Sequence, residues 1–169
     1  MFTPKAHIII IDGATGIGRK TFAFELALTL LYNAQRTAIV LSDDSPLRQA
    51  LQKRHRLLPE LLTPAIINRK NFYEEANKYN AVIIPETTMA DKLALTASTY
   101  ITIIPKSKQS AQKFAKKLSY INNLWELKKK IAAAYGHSLN WIVCENNLKE
   151  KITDSPSPEL EQAARTYGF

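Results

Sequence analysis

HIIIIDGATGIGRKTFAFELALTLLY, residues 7–32, decides how the rest of the chain is read. Four isoleucines, Ile8 to Ile11, run into a turn that carries Gly13, Gly16 and Gly18. The turn opens a long apolar segment in which Glu25 and Thr29 are the clearly polar positions. The pattern predicts strand, tight loop and buried helix. Glycine permits positive φ and a close approach of backbone to ligand. The first amides of a helix lack internal partners and carry the positive end of its dipole. Together these features predict a socket for phosphate, and the plain alternative is a glycine turn that only packs helix on strand.

Two known loops share this outline. A P-loop requires G-x-x-x-x-G-K-[ST]; counted from Gly13, Gly18 is in place, but Arg19 stands where lysine belongs and Lys20 where the hydroxyl belongs. The hydroxyl comes one position late, as Thr21. A dinucleotide loop of the short-chain dehydrogenase type, T-G-x-x-x-G-I-G, matches at Gly16-Ile17-Gly18 but has Asp12 in place of its first glycine. None of the seven tyrosines has a lysine four residues on, so the Y-x-x-x-K pair of an NAD(P)-binding dehydrogenase is missing.

Composition sets the frame. The 169 residues suit one domain, 1–169, and 46% hydrophobic with 9% aromatic residues supply a full core. The single cysteine, Cys144, excludes an internal disulfide and points to a reducing cytoplasm. The isoleucine run is too short for a signal-peptide core or a membrane span, so no span is expected. Lysine and arginine number 23 against 15 acidic residues, giving +8 and a pI near 9.6. The excess gathers in Lys53-Arg54-His55-Arg56, in Lys113, Lys116 and Lys117, and in Lys128-Lys129-Lys130. Each cluster alone reads as a solvated helix face, and the three together point equally to a polyanionic partner.

After the first helix, Thr37 to Leu41 reads as a strand, followed by Ser42-Asp43-Asp44-Ser45 and a helix over Leu47 to Leu58. Pro59 to Asn71 reads as a loop or short helical turn, and Phe72 to Tyr79 as a short helix. Ala81 to Ile84 is a strand stopped by Pro85, with Glu86-Thr87-Thr88 at its end. A helix over Met89 to Thr96 leads to a strand at Tyr100 to Ile104. Lys108 to Tyr135 is helical, with a break expected near Asn122-Asn123 and a cap at Gly136. Asn140 to Cys144 is a fifth strand, Glu145-Asn146-Asn147 its loop, and Glu159 to Tyr167 a closing helix. Alternating strands and helices predict an α/β fold, a three-layer doubly wound sheet of about five mainly parallel strands. His7, His55 and His137 show no metal-ligand spacing. Cys144, Trp125 and Trp141 read as packing residues.

Taken in order, these segments resemble the ParA/MinD group of deviant P-loop ATPases, closest to the division-plane positioning ATPase MipZ. The likeness is carried by the glycine loop from Gly13 to Thr21, a D-x-D-S-like stretch at Ser42 to Ser45, and a Y-D-x-V-h-h-D-T-P-like strand at Tyr79 to Pro85. An A-D-x-h-h-x-P-like strand at Ser98 to Pro105 follows. Leu124-Trp125-Glu126-Leu127-Lys128-Lys129-Lys130, leading to Asn140-Trp141-Ile142-Val143-Cys144-Glu145-Asn146-Asn147-Leu148, resembles that group's W-x-x-x-K/R helix and D-W-I-V-x-R-N-R-L strand.

The resemblance implies a SIMIBI-like P-loop fold binding ATP or ADP with Mg²⁺. It implies nucleotide contacts from Gly13, Ala14, Thr15, Gly16, Ile17, Gly18, Arg19, Lys20, Thr21 and Asn146. Metal ligands would be Thr21 and Asp43, and Asp44 and Glu86 would serve the hydrolytic step. The group's signature lysine falls on Ala14, its phosphate lysine on Arg19, its metal-binding hydroxyl on Lys20, its first switch aspartate on Ser42 and its later one on Pro85. With so many positions altered, ATPase activity is expected to be weak or absent, unless a one-residue shift lets Lys20 and Thr21 serve instead. Implied partners are a ParB-like or division-ring protein, non-specific DNA through the basic faces, and a second copy in a homodimer. Two alternatives stand beside this reading: a nucleotide-free DNA- or protein-binding module, and an NAD(P)-binding protein.

Overall fold

Strands paired in parallel need both faces covered, and the apolar runs in this chain are long enough to supply two covered faces. The structure, a computed structural model, describes residues 5–13, 16–57, 62–87, 92–134, 136, 138–146 and 158–167, without the side chains of 119–121. The strands are β1 (His7–Gly13), β2 (Thr37–Leu41), β3 (Ala65–Asn68), β4 (Ala81–Ile84), β5 (Thr99–Pro105) and β6 (Asn140–Asn146). They form one six-stranded, all-parallel sheet in the order β3-β2-β4-β1-β5-β6. The α-helices are α1 (Arg19–Tyr32), α2 (Pro46–Leu57), α3 (Phe72–Glu75), α4 (Lys108–Ala134) and α5 (Pro158–Tyr167).

Successive side chains of a strand point to opposite faces, and β1 shows this directly. Ile9 and Ile11 face α1 and α2, packing with Ala23, Ala27 and Leu51. Ile8 and Ile10 face the other layer, where Phe72 of α3, Phe114, Leu118 and Trp125 of α4, and Leu160 and Ala163 of α5 close the core. Trp125 and Trp141 lie 4.8 Å apart between ring centroids, and Tyr100 and Phe114 meet them edge-on. The indole N–H of Trp141 donates to Thr102 Oγ1 at 2.9 Å, which satisfies a buried donor within this aromatic layer.

The structure changes several expectations. The sheet has a sixth strand, β3, in the stretch read as loop or turn; its four residues pair with Ala38 to Leu41 of β2. Helix α4 runs unbroken through Asn122 and Asn123. β6 continues past Cys144, so Glu145 and Asn146 belong to the strand and Asn146 is level with Pro105. Within the segment read as a helix from Met89, the described part is a 3-10 turn over Lys92–Thr96. Lys128, read as one of an exposed basic trio, is 3% exposed and donates to Tyr100 Oη at 2.9 Å.

Register brings separate parts of the sequence together at the carboxyl ends of the strands. Ile39 is level with Ile83, so three residues on Ser42 is level with Glu86. Ile10 is level with Ile84, so Asp12 reaches the same height. β1 lies at the centre, between β4 and β5, and its loop opens where chain connections leave toward both sheet edges.

Candidate functional site

The loop after β1 needs its glycines for distinct reasons. Gly13 has φ of 149°, and a Cβ there would run into the carbonyl oxygen of Ile103 on β5. Gly16 and Gly18 take φ of 81° and 88°, in the left-handed region. Gly18, the N-cap of α1, has no side chain to cap the first-turn amides and makes no capping hydrogen bond. Buried Ile17 anchors the turn, and Asn146 Nδ2 donates to Ile17 O at 2.8 Å, tying the end of β6 to the loop. Asp12 Oδ1 accepts from the Gly13 amide at 2.7 Å, so that one amide is already engaged. Ala14 and Thr15 lie outside the described residues.

Beside the loop, three segments meet in one ion pair. Lys20 Nζ, on the first turn of α1, lies 2.8 Å from Glu86 Oε1 beyond β4. Glu86 Oε2 accepts from Ser42 Oγ at 2.9 Å and from the Ser42 amide at 3.2 Å, beyond β2. Burial pushes the Glu86 carboxyl up, but the Lys20 ammonium and the two Ser42 donors outweigh it and hold the group down at about 2. Arg69 donates to the Glu86 carbonyl at 3.3 Å. Asp43 is drawn the other way: it accepts from Asn68 at 2.7 Å and lies 3.5 Å from Arg48 Nη2. Asp44 is exposed, Arg19 is half-exposed and Thr21 is exposed.

The structure thus brings Gly13, Gly16, Ile17, Gly18, Lys20, Glu86 and Asn146 together, and sets Asp43 with Asn68 and Arg48 to one side. Thr21 is exposed on the first turn of α1, while Lys20 is paired with Glu86. Sequence reading missed Ser42 as a donor to Glu86, because that contact depends on the register of β2 against β4.

Cations line two cavities, one of which borders the loop. A cavity of about 670 Å³ is lined by Ser42, Asp43, Asn68, Arg69, Lys70 and Lys92, among others. Another, of about 390 Å³, lies toward α4 and includes Asp12, Gly13, Thr102, Pro105, Lys113 and Lys117. The basic clusters do not share one face. Leu47 and Leu51 pack α2 on one side of the sheet, whereas α4 covers the other. Within the α2 cluster, Arg54 lies over the Phe24 ring and His55 Nε2 meets the Pro64 carbonyl at 3.0 Å.

The donors suit an anion: uncapped helical amides, glycines that leave room for close approach, and the nearby charges of Arg19 and Lys20. They do not suit Mg²⁺. That ion needs oxygen ligands in octahedral array. At the hydroxyl position this loop offers an ammonium, which has no lone pair and already sits against the carboxylate.

No known family's sequence profile matches this chain, and no curated protein does. Solved structures do. The Cyanothece McdA(D38A)–ATP complex aligns with a TM-score of 0.56 at 12% identity, over 97% of this chain and 78% of that one. A plasmid partition protein from Borrelia burgdorferi aligns with 0.56 at 13%, over 96% and 85%. The MinD cell division protein of Aquifex aeolicus aligns with 0.54 at 13%, over 95% and 86%. The chain shares the fold of these three proteins. At these identities the likeness establishes the architecture, and the chemistry has to be argued from this chain's own residues.

Proposed function

We propose that this protein is a ParA/MinD-like nucleotide-binding protein of the MipZ kind, with weak or absent ATPase activity, acting in the cytoplasm in chromosome segregation or division-site placement. The observation that carries the reading is the uncapped start of α1 above Gly16 and Gly18 at the centre of the sheet. In this reading the α1 amides and Arg19 hold the phosphates. Asn146, whose Nδ2 braces Ile17, would meet the base with what is left of its amide.

Phosphoryl transfer relies on charge and positioning around the γ-phosphate, with a metal ion bridging the phosphates. Here Lys20 and Glu86 neutralise each other, and Asp43 is engaged with Asn68 and Arg48. A planar guanidinium at Arg19 replaces a compact ammonium. Loss of one such group costs about 3 kcal/mol of transition-state stabilisation, so the combined changes slow turnover by several orders of magnitude. A ParB-like or division-ring protein, DNA and a second copy of the chain are the partners this reading supplies. Calorimetric titration with ATP, and phosphate release with ATP in excess, test it. Binding with negligible release is expected; turnover at the rate of an ordinary ATPase, or no binding at all, rejects it.

A second reading, a DNA-binding module, is favoured by the exposed lysines Lys113, Lys116 and Lys117 on α4. Phosphate contacts release counterions, so affinity would fall steeply with salt. Salt-insensitive DNA binding would remove this reading.

A further inference from the structure

We infer that Lys20 is the resident cation of this site, occupying the place a divalent ion holds in a P-loop protein, so that the loop takes a polyphosphate in its metal-free form. The inference rests on the nucleotide-binding reading above and narrows it to one ionic species of ligand.

In a P-loop site the divalent ion bridges two protein positions, the hydroxyl of the residue after the loop lysine and a carboxylate at the end of a neighbouring strand. In this chain Lys20 holds the first of those positions and Pro85 the second, with Glu86 one residue on, and the side chains of Lys20 and Glu86 close on each other directly at 2.8 Å. Ser42, from the end of β2, completes the contact through its hydroxyl and amide on the second carboxylate oxygen. Both oxygens of Glu86 therefore already face donors. A divalent ion entering here would lose an oxygen ligand to the ammonium and be repelled by it.

The ammonium also supplies what an ion would. It has three N–H donors, and although Nζ lies 2.8 Å from Glu86 Oε1 the side chain is still 42% exposed, on the first turn of α1. A phosphate oxygen at the start of α1 would meet these donors. Arg19, the adjacent residue, adds a second fixed positive charge. Two protein cations then meet the ligand's charge without a metal, in a site whose geometry is set by side chains anchored on α1, β2 and β4.

The test is ATP binding to the full chain by calorimetry, in EDTA and in excess Mg²⁺, alongside the variant Lys20→Thr. The variant removes the ammonium and sets a hydroxyl beside Glu86 and Ser42. For the unaltered chain, the dissociation constant should be as tight in EDTA as in Mg²⁺ or tighter. For Lys20→Thr, Mg²⁺ should tighten binding at least tenfold, and Mn²⁺ electron paramagnetic resonance should show ion taken up by the protein–nucleotide complex. A tenfold or greater gain with Mg²⁺ in the unaltered chain overturns this inference and leaves nucleotide binding standing. No ATP binding in either buffer overturns the nucleotide reading, and this inference with it. A Lys20→Thr chain that folds, by its circular dichroism, yet binds ATP equally with and without Mg²⁺ also counts against the assignment.

Discussion

Replacing Glu86 by alanine tests whether the contact of α1, β2 and β4 stabilises the fold as the geometry implies. The substitution removes the acceptor for Ser42 Oγ, the acceptor for the Ser42 amide and the partner of Lys20. Glu86 is 20% exposed and Lys20 is 42% exposed, so the ammonium can rehydrate, and its share is close to that of a surface pair, about 0.5 kcal/mol. Each Ser42 donor to a carboxylate is worth about 1.5 kcal/mol at the low end, reduced where water can replace it. The expected loss at neutral pH is therefore about 2–3 kcal/mol, or roughly 5–10 °C in Tm for a chain of this length. Glu86→Gln keeps an acceptor for Ser42 and should lose about half as much.

The pH dependence supplies the sharper check. Glu86 titrates at about 2 in the folded chain against an ordinary value of 4.5, so the stability it contributes is present above the ordinary value and is lost as pH falls toward the folded one. The gap between the unaltered chain and Glu86→Ala, measured by urea denaturation, should narrow from neutral pH to about pH 3.5. A gap below about 0.5 kcal/mol at neutral pH, or one unchanged in acid, refutes the reasoning.

Gly13→Ala should cost more than about 3 kcal/mol, because the added Cβ meets a strand carbonyl and the φ of 149° strains any side chain; Gly16→Ala, with open space around it, should cost about 1–2 kcal/mol in the same thermal scan. Thr102→Val leaves the Trp141 indole N–H buried without its acceptor and should destabilise by about 1–3 kcal/mol, read from denaturant midpoints at unchanged m-value. Tyr100→Phe removes a hydroxyl that receives from Lys128 at 2.9 Å and donates to Ala94 O at 3.2 Å, and should cost a similar amount. If DNA binds through α4, reversing Lys113, Lys116 and Lys117 to glutamate should lower the slope of log affinity against log salt by about 3, while reversing Lys53 and Arg56 on the opposite layer should leave that slope unchanged.

What was legible in the chain were the features that local pattern determines. The isoleucine run, glycine loop and apolar helix follow from period and turn chemistry, as do β2, β4 and β5, each a run of buried residues between turn signals. β3 was hidden because it is four residues long, sits at a sheet edge with Ala65 and Ile66 only half-buried, and follows two prolines. The paired asparagines of α4 suggested a break, but packing of Leu118 and Trp125 on either side keeps the helix continuous. Buried Lys128 was in fact on the visible stripe: Ala111, Phe114, Leu118, Trp125, Lys128 and Ala132 lie at compatible helical steps, and extending the pattern one place past Trp125 would have found it. The contact of Lys20, Glu86 and Ser42 could not be read beforehand, since it depends on which strands neighbour one another and at what register.

The chain's two tryptophans share one buried layer, with their ring centres 4.8 Å apart. Energy absorbed by either indole therefore passes readily to the other, and their ultraviolet emission behaves as a single optical probe of the α4 layer. One of the pair stands on β6, five residues before the asparagine that braces the glycine loop. An intrinsic fluorescence trace, without any attached dye, can follow both the melting of the interior and events at the loop.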